Sequence, residues 1–208
     1  MTKTISTKDK ILDVAIDLFS QNGYSGVSIR EITREVGIKE SSLYNHFQNK
    51  DEIIMTIFSM FQEEFAKTLP PIEVLDVILA NSSIEQFFAK GFENFKEHID
   101  QPVNEKLWRI LYIEHYRNTQ ARELFLNDII KKTLDFLEVV FEKLIALGKV
   151  KPFDPSLLAA EYQYPMFSML VEYNMLRFDG KDTSLIEKRM KDHLVFLLDI
   201  IKIEGTNK

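Results

Sequence analysis

Apolar residues recur every three or four positions along most of the chain, the spacing that gathers them on one face of an α-helix. Ile11, Ala15, Leu18 and Phe19 make the first such face, and Gly23 stops it. Ile54, Phe58, Phe61 and Phe65 repeat it on a helix that starts near Asn49 and ends before Pro70-Pro71. A third stripe, Phe88, Phe92, Phe95 and Ile99, stops at Pro102. Trp108, Leu111, Tyr112 and His115 share the next face, and the longest pattern runs from about Thr119 to Gly148. Asp154-Pro155 reads as an N-cap followed by proline at the first helical position. That helix runs to about Phe178, where Asp179-Gly180 breaks it, and a last helix spans about Asp182 to Ile203. Alternation at period two is not sustained anywhere. The pattern predicts an all-α chain of about nine helices, with no repeats and no low-complexity segment.

Residues 24–50 break this rhythm with two short helices. Ser28 and Glu31 form an S-x-x-E capping box, in which each side chain satisfies the other's free backbone N–H. The helix that follows has Ile29, Ile32 and Val36 turned inward, and Gly37 supplies the left-handed residue of a tight turn. Ile38, Leu43 and Phe47 continue the apolar face on a second short helix. Two short helices joined by a glycine turn make a helix-turn-helix. Neither is stable alone, so both must lean on the first helix and on the one that begins near Asn49. The outward face of the second helix carries Lys39, Glu40, Ser41, Ser42, Tyr44, Asn45 and His46. Such short hydrogen-bonding groups suit base edges and phosphates in a DNA major groove.

The stretch from Ile11 to Ile54 resembles the TetR family of bacterial transcriptional repressors. The resemblance rests on Ala15, Leu18-Phe19, Gly23-Tyr24, Val27-Ser28-Ile29, Ile32, Gly37-Ile38, Leu43-Tyr44, His46-Phe47 and Lys50 followed by Glu52-Ile53-Ile54. It implies phosphate contacts from Ser28, Tyr44, His46 and Lys50, and base reading by Arg30, Lys39, Glu40, Ser41, Ser42 and Asn45. Chemistry agrees with those roles: Lys50 stands at a helix start, Arg30 can reach a guanine edge, and Asn45 suits adenine. Lys39 stands where the family usually has a serine N-cap, and Ser41 where it often has glycine. Both departures bear on which operator is read. The resemblance also implies a homodimer reading a palindromic double-stranded DNA operator, and a C-terminal domain that binds a small-molecule effector and dimerises. Residues 1–50 are then the DNA-binding domain and 51–208 the effector-binding and dimerisation domain.

The net charge of -6 argues at first against a polyanionic partner. Its distribution reverses that argument: residues 1–50 carry 7 Lys+Arg against 6 Asp+Glu, and the remainder carries 19 against 26. A near-neutral head on an acidic body depends on a few placed phosphate contacts rather than on bulk attraction. The absence of cysteine excludes disulfide scaffolds, thiolate metal sites and cysteine nucleophiles. No apolar run approaches the ~20 residues of a membrane span, and none marks a signal region near Met1, so a cytoplasmic protein is expected. His98, His115 and His193 show no ligand spacing, and no metal or cofactor is expected.

Two clusters beyond the head are candidates for the effector. Trp108, Tyr112 and His115 lie on one helix with polar tips that need partners when buried. Tyr162, Met166, Met169 and Tyr173 recur along another, which Pro165 interrupts; Tyr and Met adapt to irregular space. Phe88 and Phe92 complete the candidate lining, although their stripe also reads as core. Leu157, Leu158, Tyr164, Met175, Leu185, Leu194, Leu197, Leu198 and Ile201 offer more apolar surface than one chain needs, and the family resemblance implies that these last two helices pair with their symmetry mates in an isologous dimer interface. A DNA-binding structural or division-associated protein and a helical small-molecule-binding protein or enzyme are the competing readings. No converging acid–base set favours an enzyme.

Overall fold

The computed structural model describes residues 6–203. Every regular element of that range is a helix, and the helices fall into two compact units that the sequence enters more than once. The first comprises residues up to Lys67 and His98–Asn127, and the second Thr68–Glu97 and Asp128 onward.

The first unit holds α1 (Thr7–Asn22), α2 (Ile29–Val36), α3 (Glu40–Leu43) and α4 (Lys50–Ala66). Further along the chain it also takes in α7 (Pro102–Glu114) and α8 (Thr119–Glu123). Local signals set these boundaries. Ser6 caps α1 in a capping box with Asp9, and Gly23 ends it at φ +70°. Asn49 accepts from the Glu52 N–H to start α4. Pro102 opens α7 from its first position rather than merely ending the helix before it. The core joins Ile11, Ala15 and Phe19 of α1 with Ile32, Leu43, Phe47, Ile53, Ile54 and Ile57, all buried. Trp108 of α7 stands edge-on to Phe61 and Phe65 of α4, with ring centroids 4.9 and 5.8 Å away. Such pairs add to the stability that area burial alone supplies.

The second unit holds α5 (Leu75–Asn81), most of α6 (Ile84–Ile99), α9 (Lys132–Ala146), α10 (Pro155–Phe178) and α11 (Ser184–Ile201). Asp154 caps α10 by accepting from Ser156 and Leu157, as Asp-Pro predicts, and the helix continues through Pro165. Phe88 of α6 sits between Phe141 of α9 and Tyr162 of α10, at 5.5 and 5.1 Å. The Lys149 ammonium donates to the Leu79 and Ser82 carbonyls and so satisfies the orphaned C-terminal end of α5.

The pattern of about nine helices omits α5, which lies just beyond Pro70-Pro71. The long pattern from Thr119 is helical to Ala146, but Leu124–Lys131 at its centre is wound as a π-helix between α8 and α9. No helix among the described residues is long and apolar enough to cross a membrane.

Candidate DNA-binding site

The helix-turn-helix is assembled from caps. The Ser28 hydroxyl accepts from the Glu31 N–H at 3.2 Å, and the Glu31 carboxylate accepts from the Ser28 N–H at 2.7 Å. The Ser28 backbone N–H, and next its hydroxyl, hold the Glu31 carboxyl below the usual range. Gly37 takes φ +78° in the turn, a conformation that side chains with a Cβ rarely adopt. Lys39 gives α3 no side-chain cap, and the helix proper is only four residues long before turns carry it to Phe47. Of the inward residues, Ile32, Leu43 and Phe47 are buried, whereas Ile29, Val36 and Ile38 are half-buried. Thr33 is buried too, its hydroxyl donating to the Arg30 carbonyl.

Most of the expected DNA-facing groups are open to solvent. Arg30, Lys39, Glu40, Ser41, Tyr44 and Asn45 are exposed, and Ser42 and His46 are half-buried. Ser28 is exposed, with its hydroxyl engaged in the capping box. Lys50 is placed differently from an ordinary surface lysine. Its ammonium donates to the Tyr24 and Val27 carbonyls at 2.8 and 2.7 Å and lies 4.0 Å over the Tyr24 ring. Two of its three donors therefore hold the α1–α2 connection against the start of α4.

A second brace enters from α7. Glu114 is 2% exposed, and its carboxylate accepts from the Tyr24 backbone N–H at 2.8 Å. Gly23 packs so tightly beside it that an added Cβ would meet Ile113 and Glu114 at 3.2 and 3.3 Å. The Tyr24 hydroxyl in turn donates to Asp51, and burial, followed by that bond, raises the phenol well above its ordinary range. Tyr24 thus links three helices of the unit. Sequence reasoning missed Glu114; the available signal was a carboxylate at i+7 on the buried stripe of Leu107, Ile110 and Leu111.

The candidate effector residues fall in both units. Trp108, Tyr112 and His115 belong to the first, where Tyr112 and His115 lie beside Phe125 at 6.3 and 5.0 Å. Phe88, Phe92, Tyr162, Met166, Met169 and Tyr173 belong to the second. Phe88, Phe92 and Tyr173 are buried there, and the Lys96 ammonium donates to the Tyr173 hydroxyl at 3.0 Å. Of the candidate dimer residues, Leu158, Leu194, Leu197, Leu198 and Ile201 spend their surface on the chain's own core. Leu157, Tyr164, Met175 and Leu185 are exposed. The first three recur at i, i+7 and i+18 along one face of α10, and Leu185, Phe196 and Ile200 make a matching exposed stripe on α11. No group of three or more metal-ligating side chains gathers among the described residues.

Residues 11–56 match the family model described as bacterial regulatory proteins, tetR family. The chain is 29% identical over 158 residues to the biofilm operon icaADBC HTH-type negative transcriptional regulator IcaR of Staphylococcus epidermidis. That match spans 74% of this chain and 73% of IcaR. The probable HTH-type transcriptional regulator YttP of Bacillus subtilis is 28% identical over 139 residues, 66% of this chain and 65% of YttP, just under two thirds of that protein. Among solved structures, SmeT, the repressor of the Stenotrophomonas maltophilia multidrug efflux pump SmeDEF, superposes with a TM-score of 0.64 at 18% identity, covering 96% of this chain and 92% of SmeT. A SmeT–triclosan complex superposes with a TM-score of 0.63 at the same 18% identity, covering 96% of this chain and 93% of that one. The structural likenesses speak for the fold.

Proposed function

We propose that this chain, a transcriptional regulator of the TetR family, binds a palindromic operator as a homodimer, represses transcription and is released by a small-molecule effector. The observation that carries the reading is the helix-turn-helix itself. A capped α2, a left-handed Gly37 and an α3 with an outward polar face lean on α1, which packs in turn on α4 and α7. Arg30, Lys39, Glu40, Ser41, Ser42 and Asn45 read base edges. Ser28, Tyr44, His46 and the α4 start at Lys50 meet phosphates, which fix register without reading sequence. DNA as the partner puts the protein's work in the cytoplasm.

Repression is supported by IcaR, named as a negative regulator, and effector binding by the triclosan complex of SmeT. Dimerisation through the exposed stripes of α10 and α11 sets two heads about one DNA turn apart, ~34 Å. An effector acts by preferring a dimer whose heads no longer match successive major grooves, so its affinity must differ between the two states.

Footprinting on the DNA upstream of the protein's own coding region tests the reading. A protected two-fold symmetric site is expected, and uniform or absent protection sinks it. Within that site, Asn45→Ala should weaken binding by about 1–3 kcal/mol and relax the preference at one base pair per half-site. Equal loss on every sequence would remove Asn45 from base reading.

A further inference from the structure

The second unit keeps polar side chains in its interior without partners. Both amide atoms of Asn174 on α10 are shielded from solvent and make no hydrogen bond, and neither does the hydroxyl of Thr133 on α9. Native interiors pair such groups almost without exception, so each that stays unpaired calls for an explanation.

The two residues lie close in height. Phe88 touches Phe141 of α9 and Tyr162 of α10, which fixes the level of one helix against the other. The short connection between the helices makes them antiparallel. Counting 1.5 Å per residue, Thr133 lies ~12 Å along α9 from Phe141, and Asn174 ~18 Å along α10 from Tyr162 in the same direction. The difference is about one helical turn. Between Tyr162 and Asn174 the helix carries Met166 and Met169, both half-buried and able to repack around a guest. At the far end the Tyr162 ring packs against Phe88, 5.1 Å away between centroids, so that end is lined by aromatic rings.

We propose that Asn174 and Thr133 form the polar end of a binding site for an uncharged, elongated apolar molecule bearing an amide or lactam. The site rests on the effector reading above and names the chemistry of that effector. An Asn side chain offers one donor face and one acceptor side by side, and an amide answers both with an antiparallel pair. A carboxylate could accept from the Asn174 Nδ2–H and the Thr133 hydroxyl but would leave the Asn174 carbonyl without a donor; an ammonium would leave the Asn174 Nδ2–H without an acceptor. A charged head would also need a buried counter-charge. The nearby Lys96 ammonium already contacts the Tyr173 hydroxyl and, at 3.6 Å, Glu187.

Decanamide and decanoate, which share a chain and differ in the head group, test this on the full chain by titration calorimetry. Decanamide should bind at least tenfold tighter than decanoate. Asn174→Leu, similar in volume, should raise the melting temperature of the unliganded protein by a few degrees and weaken decanamide at least tenfold. Thr133→Val should move both readings the same way, which guards against a fault peculiar to one variant. A lowered melting temperature in Asn174→Leu and Thr133→Val, no decanamide binding, or equal binding of the two probes overturns the site. Unliganded wild-type protein is titrated onto operator DNA alongside. Intact operator binding with failed amide binding removes only this site, whereas absent operator binding removes the regulatory reading beneath it.

Discussion

Phe196→Glu should leave the protein folded, convert it to a monomer and weaken operator binding by about 10²–10⁴-fold. Phe196 is 64% exposed on α11, so the chain's own core has nothing to lose there. Its stripe, Leu185, Phe196 and Ile200, and that of Leu157, Tyr164 and Met175 on α10 are apolar side chains facing water. Large apolar side chains left exposed along one face of each of two helices mark a candidate interaction surface. An isologous contact brings each substitution to the interface twice, so two carboxylates would be buried there without partners. The loss of DNA affinity follows from geometry alone. Two heads joined in a dimer engage the second half-site at high effective concentration, and separated heads lose that factor of 10²–10⁴. Analytical ultracentrifugation and anisotropy on the operator read the two effects together. A variant that stays dimeric relocates the interface. A monomer that still grips the full operator as tightly breaks the link between dimerisation and DNA binding.

Glu114→Leu should cost about 2–3 kcal/mol of stability and weaken binding to every DNA sequence alike. Removing the carboxylate leaves the Tyr24 N–H buried without an acceptor, and that desolvation is not recovered. The α1–α2 connection then keeps the Lys50 ammonium on the Tyr24 and Val27 carbonyls and the Tyr24–Asp51 bond, but loses its tie to α7. Because α2 and α3 are too short to persist alone, loosening their attachment spoils the recognition surface without touching a DNA-facing side chain. Glu114→Gln keeps an acceptor oxygen and should recover most of the loss, which separates the hydrogen bond from mere filling of space. Urea denaturation gives the stability and anisotropy on matched specific and random duplexes gives the binding. Specificity that changes while affinity holds would contradict the bracing role.

What the sequence made legible follows the range of each signal. Ser28 with Glu31, Gly37, Asn49 and Asp154-Pro155 are caps and turns whose partners lie within a few residues, and each sits where its chemistry required. Glu114 and Lys50 act over 90 and 26 residues, on backbone groups that carry no mark in the sequence. The helix α5 is short and follows two prolines, so its period never accumulates. The π-wound stretch Leu124–Lys131 keeps its apolar spacing close to helical and is invisible to a periodicity of three and four. Among apolar residues of α10 and α11 the period marks faces but not which face the chain covers itself; hence Leu194 and Leu198 are core while Phe196 is bare.

Fluorescence anisotropy of a labelled duplex from the protein's own promoter, against a scrambled duplex of equal length and composition, tests the central claim most directly. Titrations at several salt concentrations should show the promoter duplex bound about 10³-fold or more tighter than the scrambled one, with both affinities falling as salt rises. Equal affinity for the two duplexes at every salt concentration would contradict sequence-specific regulation.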